Sequence, residues 1–275
     1  MVKIILKSKK GNSRFDFVIK KILSKSKRAQ LTIFIILALA IAIILILLFT
    51  GKTNLTAIFT PTTPINQIKN CVQEPVQEAV DILRLQGGSI DPSLYYIYQG
   101  SKIEYLCYTE EYYKTCIMQK PLLKQAVEQQ IQSYASPRIK NCISSVKANL
   151  ERKGYQVTMS SPQISISLLP GDILINIISD IRIVKAETES YKSIKIDMSS
   201  SLYEQIMLAS SISNWEARYG DAETMNYMIY YPTLKVEKKK QGDGTKVYII
   251  TDRDSEDKFM FASRSLVLPA GLTGQ

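Results

Sequence analysis

The 275-residue chain contains no histidine. This absence excludes catalytic sites that need an imidazole, such as Ser-His-Asp and Cys-His arrangements, and most transition-metal sites. Ser144 and Lys147 have the spacing of serine–lysine hydrolases, but the companion motifs of that family are missing. We therefore expect a protein that is not an enzyme and has no cofactor. An extracytoplasmic enzyme that uses carboxylates or a Ser-Lys pair is kept as an alternative.

The larger, C-terminal part of the chain has almost no net charge. Residues 1–30 contain ten of the 35 Lys and Arg side chains, opposed only by Asp16. The 25 basic and 24 acidic side chains of residues 31–275 nearly cancel. Nucleic-acid binding requires a basic surface on the folded part of a protein. The charge distribution therefore argues against a nucleic-acid partner.

Cysteine is also scarce, with four residues that all follow position 70. The closest two are nine positions apart, which does not match the ligand spacing of zinc sites. In an oxidising compartment four cysteines indicate two disulfides. We expect the pairs Cys71–Cys142 and Cys107–Cys116. Other pairings and free buried thiols remain alternatives.

One long apolar segment stands out against these absences. Leu31–Phe49 contains no charged residue, proline or glycine. A helix of this length spans about 28 Å, close to the hydrocarbon thickness of a bilayer, so the sequence predicts a transmembrane helix over residues 31–50. The basic residues precede it, and the positive-inside rule then places residues 1–30 in the cytoplasm and residues from 51 onward outside. We expect a single-pass protein of the cell membrane whose helix contacts lipid and can support oligomers.

A short basic motif lies directly before the apolar segment. The residues Lys27-Arg28-Ala29-Gln30 and the apolar run that follows resemble the class III signal of archaeal type IV pilins and related surface proteins. The resemblance implies cleavage between Ala29 and Gln30 and assembly through the apolar helix. Phe34 stands at the fifth mature position, where that family usually has Glu. An uncleaved anchor is therefore the leading interpretation, and a pilin-like subunit is the alternative.

The rest of the chain is predicted to be an α+β ectodomain behind a linker. Residues 51–64 are rich in Thr and Pro, as linkers are, and contain the N-glycosylation sequon at Asn54. Residues 65–153 are expected to form a helical and hairpin subdomain that carries the four cysteines. Residues 154–275 are expected to form an antiparallel sheet domain, and the two parts can share one core.

Apolar residues at helical spacing predict four longer helices. These are Ile65–Leu85, Pro121–Tyr134, Pro137–Lys153 and a helix over about 199–218. In the last of them the predicted buried stripe consists of Leu202, Ile206, Ala209, Ile212 and Trp215.

Alternating apolar and polar residues predict five strands between residues 155 and 198 and three more after residue 233. The turn signals include Ser179-Asp180 and the run Gln241–Gly244. Short strands in such close succession indicate an antiparallel sheet or sandwich, into which the helix over 199–218 is inserted.

A cluster of tyrosines is the best candidate for a binding surface. Seven of the sixteen tyrosines fall within nineteen residues: Tyr95, Tyr96, Tyr98, Tyr105, Tyr108, Tyr112 and Tyr113. Tyrosine provides rigid, amphipathic contact area for proteins and sugars. If these tyrosines bind, a surface protein or glycan is the partner that they suit. The interpretation that the sequence favours is that they pack against each other across a hairpin and need no ligand.

A short acidic run is the only candidate metal site. Asp252, Asp254 and Glu256 alternate as calcium ligands often do, and oxygen ligands suit Ca²⁺. The glycine of an EF-hand loop is missing and the run lies between two predicted strands. A solvated hairpin loop is therefore the favoured interpretation. The function that the sequence favours is adhesion, envelope structure or partner binding at the cell surface.

Overall fold

The computed structural model describes residues 37–39, 41 and 63–268. The first few of these are helical and exposed, and they belong to a different unit from the rest. Among the described residues no helix is both long and apolar enough to span a membrane. Most of the predicted span over 31–50 lies outside the described residues. The cleavage position Ala29/Gln30 and the sequon at Asn54 also lie outside them.

Helix α1, Pro64–Arg84, begins and ends one residue before the predicted helix Ile65–Leu85. The side chain of Thr63 accepts a hydrogen bond from the backbone N–H of Asn66, and Pro64 occupies the first helical position. Gly87 and Gly88 follow the helix with positive φ values of 73° and 89°. They permit the close approach of this turn to strand β2 (Ser101–Tyr108), because a Cβ at Gly87 would lie 2.8 Å from the Cβ of Glu104.

Helix α2, Leu123–Arg152, is one continuous helix, so the prediction of two separate helices was wrong. Pro137 lies in its interior and leaves one backbone carbonyl without its helical donor. The buried stripe nevertheless continues through this position at four-residue intervals and consists of Val127, Ile131, Ala135, Ile139 and Ile143. Continuous packing against α1 and the core outweighs the local cost of the proline.

The first disulfide, Cys71–Cys142, joins α1 to α2, with the two Cα atoms 5.7 Å apart. The second, Cys107–Cys116, has a Cα–Cα distance of 5.3 Å. These are the two pairs expected from the sequence. Both lie in well-packed surroundings, since Cys71, Cys107 and Cys116 are all buried. The long pair ties the helical layer together and the short pair closes a loop at one end of β2.

Sheet 1 combines strands from the two predicted subdomains. Its strands are β1 (Tyr95–Tyr98), β2 (Ser101–Tyr108), β3 (Ile117–Met118), β8 (Leu234–Lys240), β9 (Thr245–Asp252) and β10 (Lys258–Arg264). The order is β1-β2-β10-β9-β8, and β3 pairs with the second half of β2. All pairs are antiparallel except β2–β10, which is parallel. Because β2 pairs with β10, the boundary at 153/154 does not separate two cores.

Sheet 2 is built around one long strand. Its strands are β4 (Gln156–Met159), β5 (Gln163–Leu169), β6 (Asp172–Val184) and β7 (Thr188–Ser199). Strand β6 pairs with β7 along one edge and with β5 and β4 along the other. The prediction of a turn at Ser179-Asp180 was wrong, because these residues form an irregularity within β6. Both bond to Ser160: the Ser179 hydroxyl donates to the carbonyl of Ser160, and the Asp180 N–H donates to the hydroxyl of Ser160.

Two further helices complete the fold: α3 (Leu202–Tyr219) and α4 (Thr224–Tyr230). Helix α2 packs against β4 and β5 of sheet 2, whereas α3 packs against β2, β9 and β10 of sheet 1. A single buried cluster includes side chains from α1, α2, α3 and both sheets. The described part from residue 63 onward is therefore an α+β domain with mainly antiparallel sheets and two disulfides, as the sequence predicts at that level.

Candidate binding surface

The seven tyrosines of the sequence cluster do not form one surface. Tyr96, Tyr98, Tyr105 and Tyr108 pack with Ile103, Val247 and Ala262 in a small cluster on the second face of sheet 1. This face is opposite the main core, because neighbouring residues along β9 and β10 alternate between the two clusters. For these four side chains the structure shows the cross-strand packing that the sequence favours.

Tyr105 shows why these residues serve packing. Its side chain is buried, and its hydroxyl lies 2.7 Å from the hydroxyl of Thr245. Burial raises the pKa of Tyr105 to about 12, because a buried phenolate would lose its hydration. A tyrosine that stays neutral and bonds across β10 to Thr245 of β9 holds the sheet together and offers little to a ligand.

Three of the seven tyrosines remain exposed, and two of them lie in one loop. We call residues 109–115, which the Cys107–Cys116 disulfide closes, the stapled loop. Tyr112 and Tyr113 are both more than half exposed. Tyr95 lies on the edge strand β1, where it pairs with Glu104 in the middle of β2, and is less exposed. The stapled loop is therefore the part of the tyrosine cluster that can contact a partner.

The backbone of the stapled loop is held against the segment that follows β10. The N–H of Tyr113 donates to the carbonyl of Val267 at 3.0 Å, and the N–H of Leu266 donates to the carbonyl of Lys114 at 2.8 Å. At the start of the loop, Arg264 donates from its guanidinium to the carbonyl of Thr109 at 2.6 Å. These bonds and the disulfide fix the loop at both ends and in the middle.

The loop's conformation places its aromatic side chains outward. Tyr113 has a φ of 59°, a left-handed conformation that residues other than glycine rarely adopt. The guanidinium of Arg264 lies 5.7 Å from the ring centre of Tyr112. Backbone strain of this kind persists only where the surroundings hold it. The result is a rigid pair of exposed tyrosines, which loses little entropy when it binds a partner.

A second exposed apolar region was missed by sequence reasoning. We call the exposed large side chains at the end of α3 and along α4 the α3–α4 surface. They are Trp215, Tyr219, Met225, Ile229, Tyr230 and Tyr231. The prediction that Trp215 belongs to the buried stripe was wrong, because this side chain is 45% exposed. Its indole N–H donates to the carbonyl of Asp221 at 3.1 Å, which turns the ring across the end of the helix.

The position that continues the buried stripe of α3 is Glu216, four residues after Ile212. This carboxylate is fully buried and accepts four hydrogen bonds. The donors are the N–H of Ala222, the hydroxyl of Tyr248, the Nζ of Lys246 and the hydroxyl of Ser263. Burial and the Glu216 charge raise the pKa of Tyr248, so its hydroxyl keeps its proton and donates.

Two lysines, Lys246 and Lys238, hold the loop between α3 and α4. Lys246 is nearly buried and lies 2.7 Å from Glu216 and 3.2 Å from Asp221, and Lys238 donates to Asp221 at 2.9 Å. Burial alone would raise the pKa of Asp221, but Lys238 and Lys246 outweigh it and hold that pKa below its ordinary value. The charged side chains of this network pair with each other and fix the loop that leads into α4. The network therefore positions α4.

One short segment connects the two exposed regions. The hydroxyl of Ser265 accepts from the N–H of Cys116 at 2.9 Å and donates to the carbonyl of Glu216 at 2.8 Å. Next to it, Leu266 packs so closely on Gly220 that a Cβ there would lie 2.5 Å from the Cβ of Leu266. Residues 265–267 thus lie between the stapled loop and the end of α3.

A cleft opens beside this connecting segment, with a volume of about 570 Å³. Its walls include the turn after β8 and the segment 265–268. The charged residues among its described lining, Asp221, Lys240 and Lys246, are paired with each other. The cleft therefore presents mainly backbone and the side chains of Leu266, Val267 and Leu268.

No protein-family model matches this chain, and no curated protein or solved structure is significantly similar to it.

The candidate calcium ligands lie in the turn between β9 and β10, as the favoured hairpin interpretation expects. The Oδ1 of Asp252 accepts from the N–H of Asp254 at 2.8 Å and from that of Ser255 at 3.3 Å. Glu256 has a φ of 62° and belongs to the same turn. Within residues 63–268 no three acidic or cysteine side chains are arranged to hold a metal ion.

The Ser-Lys pair lies on the exposed side of α2. The hydroxyl of Ser144 donates to the carbonyl of Lys140 at 2.9 Å, and the Nζ of Lys147 lies 3.9 Å from a carboxylate oxygen of Glu151. Each side chain therefore interacts along the helix, as surface residues do. This geometry does not point the two groups at each other.

Proposed function

We propose that this chain is a single-pass, membrane-anchored protein whose domain lies outside the cytoplasm and binds a surface protein or glycan through the stapled loop. The observation that carries the proposal is the pair of disulfides, which use all four cysteines of the chain. Disulfides persist in oxidising compartments and are rare in the cytosol. The apolar run Leu31–Phe49 and the basic residues before it supply the anchor and its orientation.

The stapled loop supports a binding role for this domain. It exposes two tyrosines on a backbone held by a disulfide and by hydrogen bonds to residues 264–267. Rigid aromatic groups give a large contact area at small entropic cost. Because no described residues are arranged as a metal site and the buried ionic network is fully paired, binding is the function that this geometry favours.

The orientation is tested with epitope tags on the full chain in intact cells. A tag after Gln275 should be labelled by antibody without permeabilisation, whereas a tag before Met1 should be labelled only after permeabilisation. Labelling of the C-terminal tag only after permeabilisation would overturn the proposed topology. The two tags control for each other, because they report on opposite ends of one chain.

The binding role is tested by photocrosslinking from the cell surface. A photoreactive phenylalanine analogue at Tyr113 should form a crosslink to one discrete protein or glycan partner, and Tyr112→Ala in the same chain should weaken that crosslink. The same analogue at Tyr95, on the edge of sheet 1, is the control. Equal crosslinking from both positions would contradict a specific role for the stapled loop.

A pilin-like subunit is the second candidate, favoured by the residues Lys27-Arg28-Ala29-Gln30 before the apolar run. In that case the mature chain begins at Gln30 and assembles through its apolar helix. Mass spectrometry of the native N-terminus separates the two proposals. Detection of Gln30 as first residue would replace the uncleaved anchor with the pilin-like subunit.

A further inference from the structure

We propose that the α3–α4 surface docks on the lipid bilayer in which the chain is anchored. This inference rests on the proposed function for the anchor itself. It concerns a different part of the domain from the stapled loop, and its occupant is a lipid surface.

The composition of the α3–α4 surface suits a membrane interface. Helix α4 has no buried residue, and Ile229 and Tyr230 are 68% and 80% exposed. Exposed apolar side chains in such density mark a contact surface. Tryptophan and tyrosine are enriched where hydrocarbon meets headgroups, because their rings are apolar and their N–H or O–H groups are polar. The Trp215 and Tyr219 rings are in contact, with centres 4.5 Å apart.

The length of the chain before the domain keeps a bilayer within reach. Thirteen residues, 50–62, lie between the end of the apolar run and Thr63. Fully extended, they span at most about 45 Å. A domain on so short a tether meets its own membrane at a high effective concentration, so weak contacts are enough for docking. A free protein partner has no such advantage.

The charge around the surface is compatible with lipid headgroups. Residues 215–240 contain five basic and four acidic side chains, a net charge of +1: Arg218, Lys235, Lys238, Lys239 and Lys240 against Glu216, Asp221, Glu223 and Glu237. Lys239 and Lys240 lie at the end of β8, which packs against α4, and both stay exposed although Lys239 pairs with Glu237 and Lys240 with Asp221. Basic residues beside an apolar surface attract it to anionic lipids.

The chain carries its own probe for this proposal, because Trp215 is its only tryptophan. The full chain is reconstituted into nanodiscs whose scaffold protein lacks tryptophan, with and without phospholipids that carry bromine near the headgroup or near the chain end. Bromine quenches tryptophan on contact. We expect Trp215 to lose most of its fluorescence with bromine near the headgroup and less with bromine near the chain end.

Two exposed isoleucines provide matched variants. Ile229→Glu places a charge in the α3–α4 surface, and Ile97→Glu places the same charge on β1, at the opposite edge of sheet 1 from β8. Ile229→Glu should restore most of the Trp215 fluorescence and Ile97→Glu should leave the quenching unchanged. Near-ultraviolet circular dichroism of both variants shows that the fold is retained.

The outcomes distinguish this proposal from the one on which it rests. Failure of the full chain to enter nanodiscs would overturn the anchor and the docking together. Incorporation without quenching, as expected if a second copy or another protein covers the surface, would overturn the docking alone. Quenching that Ile97→Glu and Ile229→Glu change equally would also overturn it.

Discussion

The stapled loop and the α3–α4 surface both expose large apolar side chains, but different physical means hold them in place. The loop is closed by a disulfide and bonded along its backbone to residues 264–267. Helix α4 instead depends on a buried carboxylate, Glu216, and on two lysines that pair with Glu216 and Asp221. The loop is thus held residue by residue along its backbone, whereas α4 is held through the charged network beneath it.

The largest expected effect concerns the buried network around Glu216 that holds α4 in place. Glu216→Ala leaves the buried hydroxyl of Tyr248 without its acceptor and removes one of the two carboxylates that pair with Lys246, so it should lower the free energy of unfolding by about 3–5 kcal/mol. Thermal or urea unfolding followed by circular dichroism measures this, with Glu187→Ala as an exposed control. A loss no larger than that of the control would show that the network does not stabilise the domain.

The next effect concerns the loop alone. The double variant Cys107→Ser with Cys116→Ser frees a span of nine residues and should lower the free energy of unfolding by about 2.5 kcal/mol. Hydrogen exchange should become faster in residues 109–115 and stay unchanged in α4. Faster exchange in α4 as well would mean that the two regions are not held separately.

The connecting segment is tested by Gly220→Ala. Gly220 has a φ of 83°, and a Cβ there would meet Leu266, so we expect a loss of about 2 kcal/mol from strain and displacement. Gly154→Ala is the matched control, since Gly154 has a φ of 82° and open space around it. Hydrogen exchange should rise in both the stapled loop and α4 only for Gly220→Ala. Equal effects of the two variants would show that the close contact between Gly220 and Leu266 does not link the two regions.

The smallest effect depends on pH. The folded-state pKa of Asp221 lies below its ordinary value of 3.8, so its ion pairs stabilise the fold above that pH and are lost as the pH falls through the lowered value. Asp221→Asn should cost about 0.5–1 kcal/mol at pH 7 and nothing at the lowest pH at which the protein stays folded. A melting-temperature difference that is the same at every pH would contradict this role.

Much of the fold follows from local pattern. Thr63, Pro64 and the Gly87-Gly88 pair mark the ends of α1, and the alternating runs mark the strands of both sheets. The sequence failed where long-range packing overrides a local signal. Pro137 indicates a helix end, but the stripe through Ile131 and Ile139 keeps α2 continuous. Ser179-Asp180 indicates a turn, but bonds to Ser160 keep both residues within β6.

The candidate surfaces were only partly predictable for the same reason. The tyrosine cluster and the Cys107–Cys116 pair point to the stapled loop, but which tyrosines pack inward depends on the pairing of β2 with β10. The α3–α4 surface was missed because a tryptophan at helical spacing suggests a core residue, whereas Glu216 takes that place. The buried charge of Glu216 has partners on strands that are distant in sequence, so no local pattern indicates it.

One measurement compares the two surfaces most directly. The full chain in nanodiscs with bromine near the headgroup is compared with the double variant Trp215→Phe with Tyr112→Trp, which moves the only tryptophan to the stapled loop. We predict strong quenching of the tryptophan at position 215 and little quenching at position 112. Strong quenching at position 112 with none at position 215 would reverse the two assignments and contradict the account.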